Sequence, residues 1–160
     1  MTAHPDDESM FFGPALLCRH SGQQVKLLCL STGNADGLGE TRKQELVQAA
    51  QVLGIPERLV QTVDDPELQD GMHTVWSPAK IEEVVSAEVV RSKIHTVVTF
   101  DEDGVSGHIN HRAVAHALAN ASERGRLLQE NGRPARVFQL KTTGIVRKFL
   151  GLLDIFFSSS

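Results

Sequence analysis

The chain has 160 residues, 41% of them hydrophobic and 22% charged, with a formal net charge of -4. That composition fits one soluble globular domain with a substantial core, and mild acidity without a dense basic cluster excludes an electrostatic footprint for nucleic acid. No uncharged apolar run reaches the about 18–20 residues that span a bilayer, and the polar run His4-Pro5-Asp6-Asp7-Glu8 stands where a signal peptide would begin.

In chain order, a helix is expected over residues 9–19, ended by Ser21-Gly22. Cys18 and Cys29 lie in apolar company at a spacing that fits no common zinc motif, and read as buried reduced thiols in a reducing compartment. The apolar run 25–31 reads as a buried strand, followed by a Gly- and Asp-containing loop through Gly39. Helical spacing of Leu46, Val47, Ala50 and Leu53 predicts a helix over 40–53, stopped by Gly54 with Pro56 beyond. A second strand is expected over 59–63, then an acidic loop, 64–70. Ser77 as N-cap and Pro78 in the first turn open a helix through Arg91. The β-branched run 94–100 is the clearest strand. A loop over 101–107 leads to a helix over 110–124, stopped by Gly125; a last strand over 137–140 and a helix over 145–154 complete the chain. The apolar stretch 149–157 reads either as a core-facing helix or as a membrane-surface contact.

Strands alternating with helices imply βαβ units and a parallel sheet covered on both faces. Ligands gather beyond the carboxyl ends of such strands. The loops 32–39, 64–72 and 101–111 all open on that edge, which brings the polar clusters at the two ends of the chain together.

The run His4-Pro5-Asp6-Asp7-Glu8 reads either as a capped helix start, with Asp6 or Asp7 as N-cap and Glu8 favoured by the dipole, or as part of a metal site. Likewise His108 and His111 are either a helix-start surface pair or a pair facing one pocket. Convergence at one sheet edge favours metal catalysis. His4, Asp7 and His111 can supply the three protein ligands of a catalytic zinc. Asp6 would then stand free beside the metal-bound water, placed to take its proton. His20, His73, His95 and His116 read as structural or solvated. The loop 31–42 matches neither a Walker loop nor a dinucleotide fingerprint. It is either a flexible βα connection or a substrate loop with Arg42 aimed at a polar or anionic group.

At these residues the sequence resembles the LmbE-like (PIG-L) deacetylase family, most of all its N-acetylglucosaminylphosphatidylinositol de-N-acetylase branch of glycosylphosphatidylinositol (GPI) anchor synthesis. The matching segments include Ala-His-Pro-Asp-Asp-Glu at 3–8, Gly-Glu-Thr-Arg-Lys-Gln-Glu-Leu at 39–46, Val-Val-Thr-Phe-Asp at 97–101 and Gly-Val-Ser-Gly-His-Ile-Asn-His at 104–111. The resemblance implies a Rossmann-like three-layer α/β/α fold with a mostly parallel sheet. It implies zinc held by His4, Asp7 and His111, with iron(II) also suited to that donor set. Asp6 would be the general base, His108 would polarise the acetyl carbonyl or stabilise the oxyanion, and Arg42 would hold the sugar or its phosphate. The reaction implied is removal of acetate from N-acetylglucosamine linked to phosphatidylinositol, at the cytoplasmic face of the endoplasmic reticulum membrane.

The sequence departs from the family pattern in three places. Asn110 stands where bacterial relatives carry aspartate, and it cannot stabilise a charged His108 as a carboxylate would. The family has an apolar strand directly before Ala3 and continues past Ser160, so residues 1–160 are expected to form one partial domain with its first strand missing. The flanking strands would then pair directly or leave backbone groups unsatisfied. Two further functions stay open on this reading: a catalytically impaired fragment, cytosolic on its own, and a related deacetylase of a soluble amino sugar.

Overall fold

The computed structural model describes residues 1–13 and 22–142. In chain order they form helix α1 (Asp7–Met10), strand β1 (Leu27–Cys29), helix α2 (Gly39–Val52), strand β2 (Val60–Thr62), helix α3 (Pro78–Arg91), strand β3 (Thr96–Phe100), helix α4 (Ile109–Glu123) and strand β4 (Arg136–Leu140). Most of the helix expected over 9–19, with Cys18 and His20, and the helix expected over 145–154 lie outside the described residues.

Local chemistry accounts for the element ends. Ser77 Oγ accepts the Lys80 N–H at 3.3 Å and Pro78 occupies the first turn, so α3 starts where a capped sequence should start. At the end of α2, Gly54 takes φ 76, and the Gly54 and Ile55 N–H groups return to the carbonyls of Gln51 and Ala50 at 2.9 and 2.7 Å. Ile81, Val85 and Val89 recur at four-residue spacing and form the buried stripe of α3.

β1 pairs with β2 and β3 with β4, both parallel, with Leu27 opposite Val60 and Val97 opposite Val137. Side chains of β1 alternate between two cores. Leu27 and Cys29 join Leu46 and Ala50 of α2 and Ile55 on one face. Leu28 joins the larger core of Val85 and Val89 from α3 with Val114 and Leu118 from α4 on the other. Helices thus cover both faces, as expected. Burial pushes the Cys29 thiol up to about 12, which fits an inert reduced cysteine.

The two ladders are separate sheets, so β1 and β3 do not pair directly. Residues 1 and 2 lie between them at one end. The Thr2 N–H donates to Leu28 O at 2.9 Å, the Leu30 N–H donates to Thr2 O at 3.1 Å, and the Met1 ammonium donates to Val98 O at 2.8 Å. Among the described residues no helix is long and apolar enough to cross a membrane.

Candidate metal centre

The chain passes from Thr2, tied to β1, straight into the first cluster. Asp7 opens α1, and its Oδ2 accepts the backbone N–H groups of Ala3 at 3.0 Å and His4 at 2.8 Å. These bonds curl the His4–Asp7 segment around the carboxylate and aim its Oδ1 at His111 Nε2, 3.2 Å away. His111 stands in the first turn of α4. Its Nδ1 lies 3.0 Å from Gly104 O, and its ring stacks on Phe100 with centroids 4.0 Å apart and planes 3° apart. His4 Nδ1 faces His111 Nε2 at 3.3 Å.

Protonation sharpens the picture. The Gly104 carbonyl can only accept, so His111 Nδ1 carries a proton there, and in the tautomer protonated at Nδ1 alone the Nε2 lone pair faces Asp7 and His4. Burial lowers the His4 pKa to about 4, against the opposing pull of Asp7, so that ring is also neutral near pH 7. Burial would raise the Asp7 carboxyl, but the hydrogen bond and charge of His111 when its Nε2 carries a proton, together with the His4 backbone N–H, outweigh it and hold it below its ordinary value. When Nε2 of His111 gives up its proton, three electron-rich atoms converge in a buried place, an arrangement that a cation resolves. The spacing fits as well. Two ligands on a tetrahedral zinc at bond lengths of about 2.0–2.1 Å stand about 3.3–3.4 Å apart; the His4–His111 and His111–Asp7 separations are 3.3 Å and 3.2 Å, while His4 Nδ1 stands wider from Asp7, 3.9 Å from its Oδ2.

His108 also reaches the cluster; nitrogens of His4, His108 and His111 all lie within 4.8 Å of one another. Its Nδ1 accepts the Asn110 N–H at 3.2 Å and caps α4. The neutral ring therefore carries its proton on Nε2 and can donate a hydrogen bond there. Burial and then His111 lower its pKa. The link from Asn110 to His108 runs through the backbone, while the buried side-chain amide of Asn110 has no partner.

Asp6 takes φ 98, a left-handed conformation that costs a non-glycine residue about 1–2 kcal/mol. Its side chain is half exposed and accepts from Arg42 Nη2 at 2.9 Å. Burial and the neighbouring Asp7 raise its pKa against the pull of Arg42. Glu8 is buried and its Oε2 accepts the Asp6 N–H at 3.0 Å, so it supports the strained turn from behind. A second strained residue, Val105 at φ 60, precedes His108 in the single turn Gly104–Gly107. Its N–H donates to Thr142 Oγ1 at 3.0 Å, and that hydroxyl donates to Asp101 at 2.6 Å. Backbone strain held by such contacts concentrates at functional sites.

The structure brings together all six residues singled out from the sequence: His4, Asp6, Asp7, Arg42, His108 and His111. It adds Asp70, whose Oδ1 lies 3.1 Å from His4 Nε2 and whose Oδ2 lies 3.9 Å from Arg42 Nη1. The first contact has an ion-pair distance without hydrogen-bond alignment, and His4 Nε2 has no hydrogen-bond partner. Asp70 was hidden among the acids of its loop, and only its place at the sheet edge pointed to it. Arg42 passes over Gly33, whose φ is +68; a Cβ there would stand 2.9 Å from Pro5 Cδ and 3.0 Å from Arg42 Nη1. His73, His95 and His116 are exposed and outside the cluster.

A family profile described as PIG-L, GlcNAc-PI de-N-acetylase, matches residues 1–122. The chain is 43% identical over 154 residues, 95% of its length, to a Schizosaccharomyces pombe protein named "Probable N-acetylglucosaminyl-phosphatidylinositol de-N-acetylase". It is 41% identical over 159 residues to the Bos taurus N-acetylglucosaminyl-phosphatidylinositol de-N-acetylase, covering 97% of this chain. The chain spans 59% and 60% of the lengths of these relatives. Among solved structures, N,N'-diacetylchitobiose deacetylase from Pyrococcus horikoshii superimposes with a TM-score of 0.63 at 16% identity, covering 78% of this chain and 48% of that one. At that identity the likeness concerns the Rossmann-like fold.

Proposed function

The chain belongs to the PIG-L family of GlcNAc-PI de-N-acetylases, and from that membership we propose that it is a zinc-dependent hydrolase removing acetyl from N-acetylglucosaminylphosphatidylinositol in GPI-anchor synthesis. The observation that carries this reading is the placement of His111 Nε2 3.3 Å from His4 Nδ1 and 3.2 Å from Asp7 Oδ1, beside the strained Asp6.

His4, Asp7 and His111 would hold the metal; iron(II) suits the same donors. When bound, zinc supplies Lewis-acid polarisation of the acetyl carbonyl and a water whose pKa falls to about 7. Asp6 takes the proton of the attacking water; its raised pKa suits a base that must hold a proton and then return it to the leaving amine. Neutral His108 directs its Nε2–H at the oxyanion that develops on the carbonyl, and such donors act strongly in a site that excludes water. Arg42, held between Asp6 and Asp70, binds the sugar or its phosphate. The resemblance to the anchor-synthesis branch implies that this work is done at the cytoplasmic face of the endoplasmic reticulum membrane.

The test is acetate release from N-acetylglucosaminylphosphatidylinositol, with and without a chelator. Release should stop with the chelator and resume with zinc, and Asp6→Asn should lower it about 10²–10⁴-fold. Unchanged release from Asp6→Asn would remove Asp6 as the base. Equal release from free N-acetylglucosamine would assign a soluble amino sugar instead. The open space between β1 and β3, next to Met1, favours a second reading, a metal-binding chain of impaired turnover. Stoichiometric zinc without acetate release would select it.

A further inference from the structure

One peptide unit joins the strained turn after β3 to the metal cluster. The bond between Gly104 and Val105 is trans, so its carbonyl and its N–H point in opposite directions from one plane. On one side, Gly104 O lies 3.0 Å from His111 Nδ1. On the other, the Val105 N–H donates to Thr142 Oγ1 at 3.0 Å. Fixing the N–H therefore fixes the carbonyl, and the carbonyl fixes the ring.

Thr142 is held in turn. Its hydroxyl donates to Asp101 Oδ1 at 2.6 Å, which leaves an oxygen lone pair for Val105. Its backbone N–H donates to Asp101 Oδ2. Asp101 Oδ1 also accepts the Gly104 N–H at 3.1 Å. Asp101 follows β3 and Thr142 follows β4, whose pairing ends with Phe100 opposite Leu140. The clasp thus ties the carboxyl ends of two paired strands to the turn that leads into α4.

The turn is shaped by this contact. Val105 is β-branched and sits at φ 60, a genuine outlier for such a residue. Gly104, at φ +63, lets the backbone come close: a Cβ there would stand 3.0 Å from His111 Cβ and 3.2 Å from the Arg112 nitrogen. The hydrogen bonds of Thr142 and Asp101 hold the turn in that conformation. Each bond donates in the same direction, from His111 Nδ1–H through the peptide and the Thr142 hydroxyl to the Asp101 carboxyl. Burial acts to raise the Asp101 pKa, but hydrogen bonds from Thr142 and from the Gly104 and Asp103 N–H groups outweigh it and lower it, so the chain of bonds ends on an anion. Aligned bonds of this kind polarise one another.

We propose, on the reading of His111 as a metal ligand, that Asp101 and Thr142 are positioning residues: through the Gly104–Val105 peptide they orient the His111 ring and make its Nε2 a stronger donor to the metal. A ligating histidine commonly gives its other N–H to a carboxylate or a carbonyl. Here a hydroxyl and a peptide stand between the carboxylate and the ring.

Two measurements on the whole chain test this. Zinc affinity is read by competition with a chelator. The His111 Nδ1–H is read without metal, as a hydrogen-bonded imidazole proton in the NMR spectrum of protein carrying isotope-labelled histidine, assigned by its absence in His111→Gln. Thr142→Val keeps the side-chain shape but leaves the Val105 N–H without its acceptor. It should lower zinc affinity about tenfold, the lower end of the range for outer partners of a ligand, and abolish the imidazole proton signal. Thr142→Ser keeps the hydroxyl and should match the wild type in both. Ile55→Val, a loss of volume in the other core, should lower the melting temperature and change neither. If Thr142→Val does not fold, Asp101→Asn decides by the same readouts, because its amide turns a donor onto the Thr142 N–H. A folded variant with both readouts unchanged would overturn the proposal, and so would a zinc loss of the same size in Ile55→Val. A wild type that binds no zinc would overturn the metal reading itself, whereas the imidazole proton needs no metal and still decides whether the clasp orients the ring.

Discussion

Asp7→Asn separates a metal ligand from a structural carboxylate, and the structure sets the size of the effect. The side chain makes three contacts: Oδ2 accepts two backbone N–H groups at 3.0 and 2.8 Å, and Oδ1 lies 3.2 Å from His111 Nε2. An asparagine of the same shape keeps its oxygen on the two N–H groups. Its amide nitrogen then donates to the His111 lone pair, so the metal-free fold is retained. What changes is the atom facing the metal, from anionic oxygen to an N–H donor. Loss of an outer partner alone costs about 10–100-fold in metal affinity, so loss of this ligand should cost at least about 100-fold. Zinc at 100 times the wild-type Kd stabilises the wild type by about 2.7 kcal/mol. For a chain of this size that is about 5–10 °C in Tm. The variant at the same zinc concentration gains about 0.4 kcal/mol, or about 1 °C. Differential scanning fluorimetry with chelator and with buffered zinc measures both numbers. A variant that keeps the full zinc shift refutes Asp7 as a ligand. A chelated variant melting about 10 °C below the wild type refutes the retained fold.

Gly33→Ala should cost about 1–2 kcal/mol, because φ is +68 and the new methyl meets Pro5 and Arg42. Thermal melts measure the loss, and a raised KM at nearly constant kcat would report the displaced Arg42. Glu88→Ala should destabilise by about 3 kcal/mol, the lower end of the range for a buried pair, by leaving part-buried Lys26 without its carboxylate. Burial acts to raise the Glu88 pKa, but the Lys26, Ser92 and Arg91 hydrogen bonds outweigh it and lower it. Its contribution is therefore present above the ordinary value of 4.5 and is lost as pH falls through the lowered one. Urea melts between pH 3 and pH 7 should show that acid loss in the wild type and a weaker one in Glu88→Gln. Identical pH profiles would count against the pair.

The helix over 78–91 was legible to the residue because its cap is local: Ser77, Pro78 and the four-residue apolar stripe all act within a turn or two. The strands were legible as apolar runs but are shorter than those runs, because pairing rather than composition sets where a ladder ends. The metal cluster was legible for a topological reason. Loops at the carboxyl edge of a parallel sheet must approach one another, so His4 and His111 could be joined across 107 positions. Asp70 was not, since nothing local distinguishes it from Asp64 or Asp65; its role depends on the reach of His4 and Arg42. Arg42, expected to hold the sugar or its phosphate, spans Asp6, Asp70 and the Gly33 carbonyl, a reach that its long side chain allows. The Asn110 side chain was read as unable to stabilise a charged His108, and its contact with that ring runs through the backbone N–H, which any residue but proline would supply.

X-ray absorption spectroscopy of the zinc-loaded chain tests the metal centre most directly. The His4, Asp7 and His111 set predicts only nitrogen and oxygen neighbours at about 2.0–2.1 Å, with the outer-shell signature of two imidazoles. A third imidazole would put His108 in the place of Asp7, and a sulfur neighbour at about 2.3 Å would move the metal away from this cluster altogether.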